Sequence, residues 1–419
     1  MDVILKKAER ALRQLEQGDV DQGLNAINEL LDHRDMTDEL RFELATALYS
    51  QGFVSEAIAI LRDLYTRYPA ESELMVTLAE YYAEDGQEDE ALSHLREVPA
   101  EDDNYLRAVL LSAEISLRQG LTEVAEHKIR QAQSVYPEEK VLYQALGEIY
   151  YEQEEYALAL LNFQKGTHTP LAKLADCYAH LGQLEEALTH YELALKQHRT
   201  PDVLFGAGFV AFRLKEWERA VNYFRDLLDI DPYYASAYVY LAQSYLKLND
   251  IGQALATIEQ GLRYDETNPQ LFYLHGEVLL KQKKYEEAEN ALRYALELEP
   301  GHAQVLEALI QLSQETGDLR QCLAYLRQLL DISPERPDLW IEQGRLYEEL
   351  EEWHEARDSY RQALTLVPDD VNVLNRLAYL LRDEGQLTEA VRLWKKSLVL
   401  QPDQWEIMDM IERYEQDMK

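Results

Sequence analysis

Arg213, Lys247 and Lys281 recur at an interval of 34 residues in a chain where acid outnumbers base almost two to one. Phe205, Phe209 and Phe212 precede the first of them at i, i+4, i+7 spacing, which puts three rings on one face of a helix. Val239 and Tyr273 precede the other two. Cations beside aromatic rings suit a polypeptide that carries acidic and apolar side chains, because aromatic and arginine anchors are where binding energy concentrates. A plainer reading stands beside it: the rings fill the core of a loosely matched segment, and the bases pair with local acids such as Glu216 and Glu286.

Other chemistry finds little to work with. Two cysteines rule out a disulfide scaffold and a Cys-rich metal site. The ten histidines are scattered; His180 and His190 are the nearest helical pair, but they fall on different predicted helices with no cysteine partner. Gly206-Ala207-Gly208 resembles the start of a dinucleotide fingerprint yet lacks the third glycine and the preceding strand. No Walker loop, HExxH or nucleophile elbow is present. Carboxylate pairs such as Glu348 and Glu349 follow from the abundance of 78 acids. The chain is therefore read as not an enzyme, with no catalytic residue, metal or cofactor assigned.

The formal net charge of −37 argues against nucleic acid or anionic lipid as partner, since phosphates are bound by basic surface. The acid is spread along the whole sequence, as on a solvated surface. No apolar run approaches the ~18–20 residues of a membrane span, and the first residues read as neither signal peptide nor anchor. A cytoplasmic protein that does not insert into membranes is expected. Oligomeric state leaves no signature.

The elements that must position these side chains are helices. Glycine (17) and proline (12) are scarce, and the 3.6-residue apolar period hardly stops. Pro300, Pro334, Pro368 and Pro402 are spaced by 34 residues, and each precedes a helix, a turn and a second helix. On this frame units start at Ile4, Asp38, Ser72, Leu106, Lys140, His168, Pro201, Ala235, Pro269, Ala303, Pro337 and Val371. In residues 337–370, Trp340, Gly344, Tyr347, Ala356, Tyr360, Ala363 and Pro368 fall on positions 4, 8, 11, 20, 24, 27 and 32 of the unit. This pattern resembles the tetratricopeptide repeat (TPR) family over essentially all of residues 4–404. The whole chain resembles stand-alone bacterial TPR proteins, above all Gram-positive ones.

The resemblance implies an all-α solenoid: a right-handed superhelix of about twelve repeats, closed by a capping helix over 405–419. Position 8, where the two helices of a unit cross, must be small, and it is Ala or Gly in every unit except the tenth, which has Ile310. Position 20, the other close approach, is Ala in ten units, Gly23 in the first and Cys322 in the tenth. Position 15 closes the turn, where Gly18, Gly52, Gly86, Gly120, Gly182, Gly317, Gly385 and Asn249 suit a left-handed cap. Thr169, Thr200 and Asn268 precede prolines at predicted helix starts and can cap them, whereas Arg336 before Pro337 cannot. Trp217, Trp340, Trp353 and Trp394 take core positions, and Ile407, Met410, Ile411 and Tyr414 form the stripe of the capping helix. The short step from Lys140 to His168 predicts an early helix end and a kink or hinge near 164–170, dividing the chain into arms 4–167 and 168–404. The tenth unit, with Ile310, Ser313 and Cys322, is expected to pack less regularly.

In the family, positions 2, 5, 9, 12 and 13 of the first helix face a concave groove. Carried over, this places Phe205, Phe209, Phe212, Arg213, Val239, Lys247, Tyr273 and Lys281 in its middle. An acidic zone precedes them: Glu73, Glu80, Glu84, Glu114, Glu148, Glu152 and Asp176, interrupted by Arg107 and Arg118. A second follows at Glu307, Glu315, Asp338, Glu342, Glu348 and Glu349, with Arg345. No base stands at position 5, so the carboxylate clamp of chaperone-binding members is not carried over. The expected function is a non-catalytic scaffold or adaptor that binds a protein or peptide. The alternative is a regulatory subunit that tunes a partner enzyme.

Overall fold

The computed structural model describes residues 2–168 and 170–417, in which every regular element is an α-helix and there are twenty-five of them. The chain forms two compact units, Met1–Ala194 and Leu195–Lys419. The first contains α1 (Asp2–Glu16), α2 (Val20–Leu31), α3 (Asp38–Ser50), α4 (Val54–Arg67), α5 (Ser72–Glu84), α6 (Glu88–Arg96), α7 (Tyr105–Arg118), α8 (Thr122–Val135), α9 (Lys140–Glu152), α10 (Tyr156–Phe163), α11 (Leu171–His180) and most of α12 (Leu184–Gln197). The second contains α13 (Pro201–Arg213), α14 (Trp217–Ile230), α15 (Ala235–Lys247), α16 (Ile251–Tyr264), α17 (Pro269–Lys281), α18 (Tyr285–Leu298), α19 (Ala303–Thr316), α20 (Leu319–Ile332), α21 (Pro337–Glu349), α22 (Trp353–Leu366), α23 (Val371–Asp383), α24 (Leu387–Leu400) and α25 (Trp405–Asp417).

Nine helices begin on the residue expected from the repeat, from Asp38 to Val371. In both units helices pair as hairpins, α3 with α4 or α13 with α14. Small residues set how closely the pair approaches. A Cβ added to Gly208 would lie 2.7 Å from Phe224 of the facing helix, and one added to Gly344 would lie 2.6 Å from Tyr360. Gly147 faces Phe163 and Gly276 faces Leu292 in the same way. Where the first-helix residue is alanine, a large side chain is again buried opposite: Ala378 and Trp394 are both fully buried. The ten alanines at position 20 and Cys322 are also fully buried. Close-packed interiors register a change of even one methylene, so these positions fix the hairpin.

The turns follow from backbone geometry. All eight residues expected to be left-handed are so, Asn249 at φ 60° among them. Four more turns use residues that carry no such signal: Glu154, Lys215, Lys283 and Glu351, at φ 60–63°. At Lys215 the amide of Glu216 donates to the Ala211 carbonyl (2.9 Å) and that of Lys215 to Phe212 (3.0 Å), the paired bonds of a Schellman motif. The motif dictates the left-handed residue whatever its side chain.

Several expectations are corrected. Asn268 caps α17 by accepting from the Leu271 amide (3.1 Å), but the Thr200 side chain makes no cap bond. Pro170 itself takes the cap position of α11, which begins at Leu171, three residues past the expected start at His168, because residues 166–168 bend before the helix begins. Thr169 lies outside the described residues. The second helix of the short unit, α10, does end early, at Phe163. Of the tryptophans read as core, Trp353, the first residue of α22, is 48% exposed, while Trp217 at the same place in α14 is half-buried beside Phe212. The tenth unit forms the same hairpin as its neighbours: Cys322 and Leu326 are buried, while Ile310 stays half-buried. On α25, Ile407 and Ile411 are buried, with Met410 and Tyr414 packed beside them over α24; residues 418–419 of the expected capping helix lie outside the described residues.

Two outcomes test this account. A left-handed conformation costs a side-chain-bearing residue about 1–2 kcal/mol, against about 0.5–1 kcal/mol for the extra freedom of glycine in the unfolded chain. Lys215→Gly and Lys283→Gly should each stabilise by roughly 0.5–1 kcal/mol in urea unfolding, and Gly317→Ala should destabilise. Gly344→Val, which forces carbon into the Tyr360 ring, should cost about 1–3 kcal/mol.

Candidate functional site

In the second unit the first helices α13, α15, α17 and α19 lie side by side. Equivalent positions one repeat apart therefore come to neighbouring places on one face. A hollow of about 420 Å3 opens there. Leu246, Leu274, Tyr273 and Phe212 supply its apolar wall. Lys247, Lys281, Glu277, Gln243 and Gln304 supply its polar groups.

Four of the eight residues expected in the middle groove meet in this hollow: Phe212, Lys247, Tyr273 and Lys281. The rest lie outside it. Phe205 and Phe209 are half-buried and pack on Tyr240 of α15, with centroids 5.8 and 5.3 Å away. Phe212 also touches Tyr240 (5.5 Å) and Trp217 (5.0 Å). Such aromatic pairs contribute about 0.5–1.5 kcal/mol each beyond burial, so part of the stripe is structural. Val239 is half-buried against the core of α15–α17. Arg213 is exposed on the same row of the repeat.

The bases do not pair as the plainer reading expects. Glu216 pairs with Arg219 instead, and Lys281 lies 3.1 Å from Glu277, on its own helix. Neither Arg213 nor Lys247 has an ion pair among the described residues. The other bases at groove positions are committed: Arg107 to Glu80 (2.5 Å), Arg118 to Glu114 (3.4 Å), Arg345 to Glu342 (2.6 Å) and Arg382 to Asp383 (2.6 Å). Burial, with Glu277 and Glu307 nearby, pushes the Tyr273 hydroxyl up to about 12, so it remains a neutral donor at physiological pH.

The acidic zone of the first unit is partly neutralised from within. Glu80 accepts both Arg107 bonds, and Glu148 binds Lys173 and accepts from Gln144 (3.0 Å). Asp176 accepts from Tyr151 (2.7 Å) and Tyr191, whose hydroxyls burial holds well above the usual tyrosine range. Glu114 pairs with Arg118. Glu73, Glu84 and Glu152 are exposed and have no ion pair among the described residues.

Sequence reasoning missed Tyr240, Gln243, Gln304 and Glu277. Tyr240 was legible in principle, as the aromatic beside Val239 on the helix next to the phenylalanine stripe. The two glutamines carry no signal of type. Among the described residues no group of three or more His, Cys, Asp and Glu could hold a metal, and no helix is long and apolar enough to cross a membrane.

Helical hairpins crossing at small residues are what models of the tetratricopeptide repeat describe. Two such models match residues 48–115 and 279–346, and 9–72 and 173–235. Models of YpiA-like tetratricopeptide repeats match 118–166 and, for the C-terminal repeats, 339–404; a model of anaphase-promoting complex subunit 3 matches 215–295. The chain is 32% identical over 417 residues to the TPR repeat-containing protein YpiA of Bacillus subtilis (strain 168), covering 98% of each. It belongs to the tetratricopeptide repeat family. Human protein O-mannosyl-transferase TMTC1 is 23% identical over 227 residues, 53% of this chain and 26% of that protein. The crystal structure of the C-terminal part of a TPR protein from Cytophaga hutchinsonii matches 63% of this chain and 97% of its own, at 17% identity and a TM-score of 0.40.

The thiols give a check on where reactive chemistry is absent. Burial pushes Cys177 up to about 12 and Cys322 up to about 11, and both are free and buried. The thiolate is the nucleophile, so at pH 8 neither group has an appreciable reactive fraction. Ellman's reagent should react slowly with the folded chain and release two equivalents of thiol only after guanidinium unfolding.

Proposed function

We propose that the protein is a non-catalytic scaffold or adaptor that holds a peptide or partner surface against the first-helix face of its repeats. TPR proteins generally mediate protein–protein interaction, and membership of the family supports this reading. The observation that carries it for this chain is the hollow on α13, α15, α17 and α19, where an unpaired Lys247 stands beside Lys281 over an aromatic wall. Both lysines are exposed, so their charge is accessible, and the concave wall beneath them offers a partner more contact than a flat face would. The compartment we propose is the cytoplasm.

The test is site-specific photo-crosslinking in cell lysate. A photoreactive residue at Gln243 should form discrete protein adducts that disappear in a Lys247→Glu/Lys281→Glu background with unchanged circular dichroism. The same residue at Tyr233, exposed beyond α14, should not form them. Equal adducts from both positions, or none from Gln243, would move binding away from this face.

A further inference from the structure

We infer that the hollow on the first helices of the second unit takes an acidic segment in an extended, polyproline-II-like conformation, with a carboxylate at every third residue, and that Glu277 competes with that segment for Lys281. The inference rests on the groove reading above and adds the chemistry of the occupant.

Charge is the first ground. In a chain with 78 acids and 41 bases, the other bases at groove positions are committed to carboxylates, Arg107 to Glu80 of α5 and Arg118, Arg345 and Arg382 to acids beside them. Arg213 and Lys247 have no ion pair among the described residues, and Lys281 has one only within its own helix. Three cations in register, two of them uncommitted, make a row of positive charge that the surrounding acid does not cancel. A partner's carboxylates would.

Spacing is the second. Side-by-side helices have axes about 8–10 Å apart. A polyproline-II segment has three residues per turn and rises about 3.1 Å per residue, so every third side chain returns to one face about 9 Å along. Carboxylates at that interval match cations on neighbouring first helices, and α13, α15 and α17 are such neighbours. A β-strand repeats its face every ~7 Å and falls out of step. Apolar residues between the acids would rest on Tyr273 and Phe212, while Gln243 and Gln304 offer amide donors to the segment's carbonyls.

Glu277 already stands where a ligand carboxylate would go. Its Oε1 is 3.1 Å from the Lys281 ammonium, and both side chains line the hollow. An incoming acid must displace it, so Glu277 sets the affinity from inside the site.

The experiment is fluorescence polarisation on the full chain at low salt, with fluorescein-labelled peptides. The probe is four repeats of Glu-Pro-Leu; controls are Gln-Pro-Leu, Lys-Pro-Leu, and the probe's composition with its four acids contiguous. The Glu-Pro-Leu repeat should bind, and added salt should weaken it. Each control should bind at least about tenfold more weakly, as should the probe to Lys247→Glu/Lys281→Glu. Glu277→Gln should tighten binding several-fold, and the Lys-Pro-Leu repeat should bind the double-charge-reversal variant better than it binds the native chain, a gain that misfolding cannot produce. Equal binding of the neutral or contiguous-acid peptide, absence of binding by the probe, or an unchanged affinity in Glu277→Gln would overturn the inference. The Gln243 crosslink separates the two levels: adducts there without binding of the acidic repeat leave the groove reading standing and remove only this occupant.

Discussion

The structure depends on how closely the two helices of each hairpin approach. Gly208 against Phe224 and Gly344 against Tyr360 leave no room for a single added carbon, and the alanines of position 20 are fully buried on the other side of the same contact. A large side chain received by a small one gives each hairpin one register. Repetition does the rest, because within each unit successive hairpins pack on one another, α4 on α5 or α14 on α15, and each repeat needs only its neighbours.

That constraint also decides what is left over. The crossing uses one face of each first helix, and the neighbouring first helix uses a second, which is where Phe205 and Phe209 meet Tyr240. A third face of these helices remains. On α13, α15 and α17 it carries Arg213, Lys247, Lys281 and Tyr273, and because the repeat is 34 residues long, equivalent side chains line up without any further device. The hollow is thus a consequence of regular packing: Phe212, Tyr273, Leu246 and Leu274 pack as well as line it, while Lys247 and Lys281 add its charge.

Much of this was legible in the sequence because the constraint acts on residue size. Small residues at positions 8 and 20, glycines at the turns and the apolar stripe of α25 each report one steric requirement. What was not legible arises where backbone or neighbours override type. Glu154, Lys215, Lys283 and Glu351 adopt left-handed geometry because the Schellman bonds demand it, although nothing in their side chains announces it. Trp353 reads as core by position, yet its indole meets solvent. Gln243 and Gln304 enter the hollow from groove positions, but a glutamine at a groove position looks like any solvated glutamine. Thr200 has the right side chain for a cap and makes no bond with it.

The central claim is that the cations of the middle face are spare. Equilibrium urea unfolding of Lys247→Glu/Lys281→Glu tests it without knowledge of any partner. If the cations hold no part of the fold, the variant should unfold within about 0.5 kcal/mol of the native chain, as exposed substitutions away from structural features do. A loss of about 2 kcal/mol or more would mean that the row of bases is part of the packing, and the account of the groove would be wrong.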